Sequence, residues 1–198
     1  MNRKLFLTSA LALLLCAPAT FADERPASPP GTASTQIGDA WIDVTYSRPI
    51  LRGRTGIFGS GDEYGKTVNG GAEFWRAGAN ATTKIKSDID LTVGDKKVPA
   101  GEYGIVVGLD EKAWTLVLTS QKSMDTWMGR EEVAKGVLWG SFGYKPDFDV
   151  ARATMKLETL DHSVDQMTIA FLDVTEDGAT LAISWDKTRA TVRLGVAK

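Results

Sequence analysis

The sequence predicts an all-β fold, an antiparallel β-sandwich or flattened barrel of about 8–10 strands with one short helix. Two observations carry this expectation. From Gln36 onward, short runs alternate apolar and polar residues, the period of strands with one buried face. Between the runs, Gly- and Asp-rich turn chemistry recurs at intervals of about ten residues.

Each strand rests on its own pattern. Ile42, Val44 and Tyr46 alternate with Asp43, Thr45 and Ser47. Ile85, Ile89, Leu91 and Val93 share one parity, and Gly94-Asp95 then turns the chain toward Lys97-Val98. Residues 103–109 are nearly all apolar, as in a strand buried on both faces; after Asp110-Glu111-Lys112, a return strand carries Trp114, Leu116 and Leu118. Residues 151–159 and 167–174 read as two separate strands. Glu176-Asp177-Gly178 is a hairpin turn into Leu181, Ile183 and Trp185, and Asp186-Lys187-Thr188 reads as another turn, into Val192, Leu194 and Val196. Arg189, Thr191 and Arg193 fall on the opposite face of that last strand. Only residues 126–135 look helical.

Residues 1–22 have the layout of a secretory signal peptide: Arg3 and Lys4, an apolar run over residues 5–16, then small residues. Thr20-Phe21-Ala22 before Asp23 fits the cut, with Ala17-Pro18-Ala19 as a second site. A dozen apolar residues fall short of the roughly 20 that span a bilayer. Cys16 offers an alternative, a lipoprotein anchored through its thiol, although Leu15 stands where a lipoprotein box carries Gly, Ala or Ser. The expected location is therefore periplasmic or secreted, with no transmembrane segment in the mature chain. Cleavage before Asp23 would remove the one cysteine, excluding disulfides, thiol catalysis and cysteine-ligated metals. It would also remove Arg3 and Lys4, taking the formal net charge from −2 to −4, which argues against nucleic acid as a partner. Residues 23–35, rich in proline and small side chains, read as a flexible linker, and residues 36–198 as a single β-sandwich-like domain.

Residues 48–82 break the alternation and turn to Arg, Gly and aromatics. Loops of this length in compact domains are uncommon and often functional. The candidate ligand-binding residues are Arg48, Arg52, Arg54, Tyr64, Trp75, Arg76 and Asn80, with Trp139 and Tyr144 from a later glycine-rich stretch. Guanidinium forks suit carboxylate, phosphate or sulfate groups. The competing expectation is that Arg48 and Arg76 pair with aspartates and carbonyls and only pin the loop.

These residues also carry a resemblance. Tyr46-Ser47-Arg48-Pro49, Arg52-Gly53-Arg54, Ile57-Phe58-Gly59, Tyr64-Gly65-Lys66 and Trp75-Arg76 with Gly78-Ala79-Asn80 are similar to the signature of the DUF2911 family, exported bacterial domains of unknown function. The similarity continues through Ala100-Gly101-Glu102-Tyr103, Trp139-Gly140 with Tyr144, and Leu181 to Trp185. It implies an exported β-sandwich-like domain and brings no activity or ligand with it. In this family an acidic residue usually follows the Gly-Ala-Asn, where this chain has Ala81, and residues 67–74 look like an insertion.

The catalytic inventory is thin. His162 is the one histidine, in what reads as a solvated turn, so a His-based triad or a zinc site is not expected. There is no Gly-x-Ser-x-Gly elbow, and Gly59-Ser60-Gly61 has the wrong spacing for a phosphate or dinucleotide loop. No cofactor and no metal is expected. Asp147 and Asp149 flank Phe148 in what reads as an exposed loop, with nothing nearby to complete a coordination set. Trp114 and Trp185 share core parity, whereas Trp41, Trp75, Trp127 and Trp139 sit beside loops or glycines. Trp139 with Phe142 and Tyr144 would make a platform for a sugar ring.

Two functions are compatible with this sequence. One is a non-catalytic periplasmic binding or interaction module for an anionic or carbohydrate ligand or an envelope protein. The alternative is an envelope hydrolase or lyase using carboxylates and arginine, such as Asp62 or Glu63 beside Arg54. Convergence of Arg48, Arg54 and Arg76 on an open pocket would favour binding.

Overall fold

The structure is a computed structural model that describes residues 26–198; the expected signal peptide and Cys16 lie outside the described residues. Among the described residues there are nine strands: β1 (Pro30–Ile37), β2 (Ala40–Ser47), β3 (Thr83–Ser87), β4 (Leu91–Val93), β5 (Lys96–Val98), β6 (Gly101–Gly108), β7 (Trp114–Thr119), β8 (Asp149–Thr175) and β9 (Gly178–Val196). They form one antiparallel sheet in the order β1-β2-β3-β6-β7-β8-β9-β4-β5, which is not closed into a barrel. The sheet curls so that the chain just past β2 meets β8. There Met167 N donates to the Pro49 carbonyl at 2.9 Å, Leu51 N to that of Asp165 at 2.8 Å, and Ile169 N to the Tyr46 hydroxyl at 2.9 Å. The core lies inside this curl, and the alternating residues named above fill it: Ile42, Val44, Ile85, Leu91, Trp114, Leu116, Leu118, Leu181 and Leu194 are all buried.

Three local expectations are corrected. Residues 30–35, read as part of the linker, belong to β1, which pairs with β2 from Pro30↔Ser47 to Ile37↔Ala40. Their inward positions are the small side chains Ala33 and Thr35 beside Ile37, so burial leaves little hydrophobic signal. Pro30 is tolerated because it opens an edge strand, where a missing N–H breaks no ladder.

Residues 151–159 and 167–174 are one continuous strand, and the expected turn at Asp186-Lys187-Thr188 lies within β9. The polar residues that suggested turns produce irregularities in a single long hairpin: the β8–β9 register shifts between Thr159 and Val164 and again before Thr168, and Asp186 takes φ +50°. A bulge admits an extra residue and bends a strand without ending it. His162 accordingly sits in the irregular middle of β8, exposed, with Nδ1 2.6 Å from Asp161 Oδ1.

The expected helix at 126–135 is confined to α2 (Arg130–Ala134), because Gly129 at φ +112° cannot continue a helix backward. A second short helix, α1 (Lys66–Asn69), lies in the long loop.

Candidate functional site

Residues 48–82 form the wall of the site, and aromatic packing holds them there. Trp75, expected beside a loop, is buried to 1% exposure. Its ring stacks on Trp185 with centroids 6.2 Å apart and planes 8° apart, and meets Trp114 and Phe58 edge-on at 5.6 and 5.7 Å. Its backbone also exchanges two hydrogen bonds with Val107 of β6, at 2.8 and 2.7 Å. The loop is thus part of the core, and its polar side chains are held in place by that anchoring.

The turn before this anchor is tied by a residue far along the chain. Asp186 is buried at 7% exposure, and its Oδ2 accepts from Gly56 N at 2.7 Å and Ile57 N at 3.4 Å, while Ser163 Oγ donates to Oδ1 at 3.0 Å. This fixes the turn that presents Arg54. The Arg54 guanidinium donates to the carbonyls of Leu51 and Ile50, both at 2.9 Å, and lies 6.0 Å from the Trp185 ring centre.

Arg76 follows Trp75 directly and has a different environment. It donates from Nη1 to the Asn80 carbonyl at 2.8 Å, and its guanidinium lies 5.3 Å from the Phe142 ring centre. Gly140 makes this possible: at φ +63° it lies so close that a Cβ there would come within 2.6 Å of Arg76 Cζ. Thr82 Oγ1 donates to the Gly140 carbonyl at 2.9 Å and holds that turn in place. Burial pulls the Arg76 guanidinium below its ordinary pKa. Among the described residues it has no carboxylate partner.

Arg54 and Arg76 line one open cleft of about 270 Å³ together with Asn80, Thr67, Trp75 and Trp185. No Asp or Glu lines it among the described residues. Thr67 comes from the segment that looks like an insertion, so that segment contributes to the cleft wall. A concave site with an aromatic floor and two guanidinium groups can accept an anion by charge-assisted, forked hydrogen bonds.

The other sequence candidates are placed elsewhere. Arg48 passes over Gly31 and reaches the Met167 carbonyl and Thr168 Oγ1, both at 3.4 Å, so it ties β2 to β8 through a carbonyl and a hydroxyl, with no aspartate involved. Arg52 is exposed and donates to the Ala27 carbonyl at 3.4 Å. The Tyr64 hydroxyl accepts from Trp114 Nε1 at 3.0 Å. Asp62 and Glu63 stand on a 3-10 turn, where Glu63 pairs with Lys66 at 2.7 Å, and neither lines the cleft.

The expected platform of Trp139, Phe142 and Tyr144 is divided. Tyr144 packs on Phe74 at 4.6 Å and donates to Asp149 at 2.7 Å, whereas Trp139 and Phe142 line a separate cleft with Trp127. Burial and the Asp149 carboxylate push the Tyr144 hydroxyl well above its ordinary pKa. Asp149 also accepts from Arg152 Nε at 2.7 Å, which makes it a structural ion pair opening β8, while Asp147 is exposed. Among the described residues no group of three or more His, Cys, Asp or Glu could hold a metal ion, and no helix is long and apolar enough to cross a membrane.

Asp186, Gly140 and Trp185 were not expected at the site. Their sequence signals were ambiguous: an aspartate in a turn-like triplet, one glycine among many, and a tryptophan with core parity.

No curated protein and no solved structure matches the chain. A family model described as a protein of unknown function (DUF2911) matches residues 28–194, a span that takes in the arginine cleft and all nine strands but for the last residues of β9, and the chain belongs to that family.

Proposed function

We propose that this protein is an exported, non-catalytic binding module that holds an anionic group, either free or carried on a carbohydrate or an envelope protein, between Arg54 and Arg76. One observation carries the reading: two guanidinium groups line the same open cleft, and no Asp or Glu lines it among the described residues. Cations that serve only to tie a fold are usually neutralised by a partner when they are buried. Arg76 is half-buried with one carbonyl partner, which leaves most of its five N–H donors for a ligand. Asn80 and Thr67 add neutral polar groups at the rim, where a sugar hydroxyl could be met.

Calorimetric titration of the purified protein with inorganic phosphate, sulfate, acetate and glucuronate tests this. At least one of these anions is expected to bind. Arg76→Gln should weaken binding roughly ten- to hundredfold, the equivalent of a charge-assisted hydrogen bond, while leaving the unfolding midpoint close to that of the parent. Absence of any anion binding to the parent protein, or equal binding by Arg76→Gln, would sink the proposal.

Export rests on residues 1–22 and has its own test. Intact mass of protein recovered from the periplasm or medium should correspond to a chain beginning at Asp23, or at Thr20 if the second site is used. A chain retaining Met1 would overturn export, and a diacylglycerol on Cys16 would replace the soluble form with an anchored one.

A further inference from the structure

A second cleft opens where α2 meets the turn from Trp139 to Phe142. It measures about 610 Å³ and is lined by Trp127, Arg130, Val133, Ala134, Trp139 and Phe142. That volume lies within the roughly 300–1,000 Å³ typical of small-molecule sites. Five of the six lining residues are apolar. The Trp127 and Trp139 rings pack on each other, centroids 5.6 Å apart at 60°, so together they form one aromatic wall.

Trp127 is 46% exposed and Met128 60%, and neither belongs to the core cluster. The base beneath them is firm: Met124 and Leu138 are buried, and Met124 N donates to the Leu138 carbonyl at 2.9 Å. The cleft is therefore a concavity on a buried footing, with the exposed Trp127 ring at its mouth.

Its single charged lining residue is Arg130, which forms no ion pair among the described residues; on the same helix Glu132 is engaged by Lys135 at 2.7 Å. Arg130 is exposed at the rim, where an anionic ligand would gain a charge-assisted hydrogen bond and a cationic one would be repelled. From the aromatic wall and this cation we infer that the cleft binds a small amphipathic anion, an alkyl or aryl carboxylate, with its apolar body against Trp127, Trp139 and Phe142 and its acid group at Arg130. Phe142 separates this site from the first, since Arg76 packs on its ring while the ring lines the second cleft. The two sites are thus distinct, and this one stands independently of the anion cleft.

Calorimetric titration with acetate, hexanoate, octanoate and decanoate below their micellar concentrations tests the inference. Affinity is expected to rise by up to roughly fourfold per added methylene until the cleft is filled, the signature of apolar burial. Trp127→Ala, at a half-exposed position outside the core, should weaken decanoate at least tenfold without altering phosphate binding at Arg54 and Arg76. Arg130→Gln should weaken octanoate roughly two- to fivefold, as for an exposed ion pair, and leave 1-octanol unchanged. Octylammonium should bind far more weakly than octanoate.

Affinity that does not change with chain length, or octylammonium binding as tightly as octanoate, would overturn the inference. So would loss of decanoate binding in Arg76→Gln with none in Trp127→Ala, which would put the ligand in the first cleft. A parent protein that sediments as a dimer, with Trp127→Ala a monomer, would mean that a second copy occupies the face, and would likewise overturn it. Decanoate binding without any phosphate binding would leave this site standing and remove the first.

Discussion

Replacement of Trp75 by alanine is expected to lower the unfolding free energy by about 3–5 kcal/mol, the range seen when a fully buried tryptophan is truncated. Its ring touches Phe58, Trp114 and Trp185, and each well-placed aromatic pair contributes about 0.5–1.5 kcal/mol beyond its buried area. Neighbouring rings on several sides cannot all move inward, so the site collapses poorly and a cavity remains. For a domain whose total stability is of the order of 5–15 kcal/mol, the loss is a large share. Urea titration followed by circular dichroism measures it. Trp75→Phe should recover about half by retaining the stack on Trp185. A loss below about 1 kcal/mol for the alanine variant would mean that the loop does not anchor through this ring.

Asp186→Ala is expected to cost about 3 kcal/mol and, in addition, to release the turn that carries Arg54. Hydrogen bonds to a charged acceptor contribute about 1.5–3 kcal/mol each, and this carboxylate accepts from Gly56, Ile57 and Ser163. Truncation also strands the Gly56 and Ile57 amides and places alanine at φ +50°, a conformation it adopts poorly. Asp186→Asn separates these effects, because asparagine tolerates that backbone and keeps one carbonyl acceptor; it should lose about half as much. Limited proteolysis checks the local part: the alanine variant should be cut within residues 51–57 under conditions that leave the parent intact. Unchanged stability with unchanged cleavage would show that the turn holds without the carboxylate.

These effects involve residues whose roles become visible only in three dimensions. The strands with medium-sized apolar residues at alternate positions, such as β2 and β7, were legible because the period itself records burial. β1 was not, since Ala33 and Thr35 fill inward positions without looking apolar. The long hairpin was misread because Asp186 and the Asp161-His162-Ser163 stretch carry turn chemistry that a paired strand absorbs as bulges.

At the candidate site, the unusual composition of residues 48–82 marked the segment that lines most of the cleft. Which of its arginines come together was not encoded locally. Arg48 is diverted to a carbonyl 119 residues away, while Arg76 is kept beside the cleft by Gly140, 64 positions along the chain. Trp75 was placed only beside a loop because it follows an irregular segment, and its burial among Phe58, Trp114 and Trp185 comes from pairing with Val107, 32 residues on.

An unclosed sheet has two free margins, and here both are unattractive to a foreign strand. β5 is three residues long, and its exposed Lys96 and Lys97 would have to be stripped of water before another chain could pair there. β1 begins with a proline and turns the polar residues Thr32, Ser34 and Gln36 outward. The curl that shapes the arginine cleft can thus stay open with neither margin inviting another strand, one being short and lysine-rich and the other proline-led and polar.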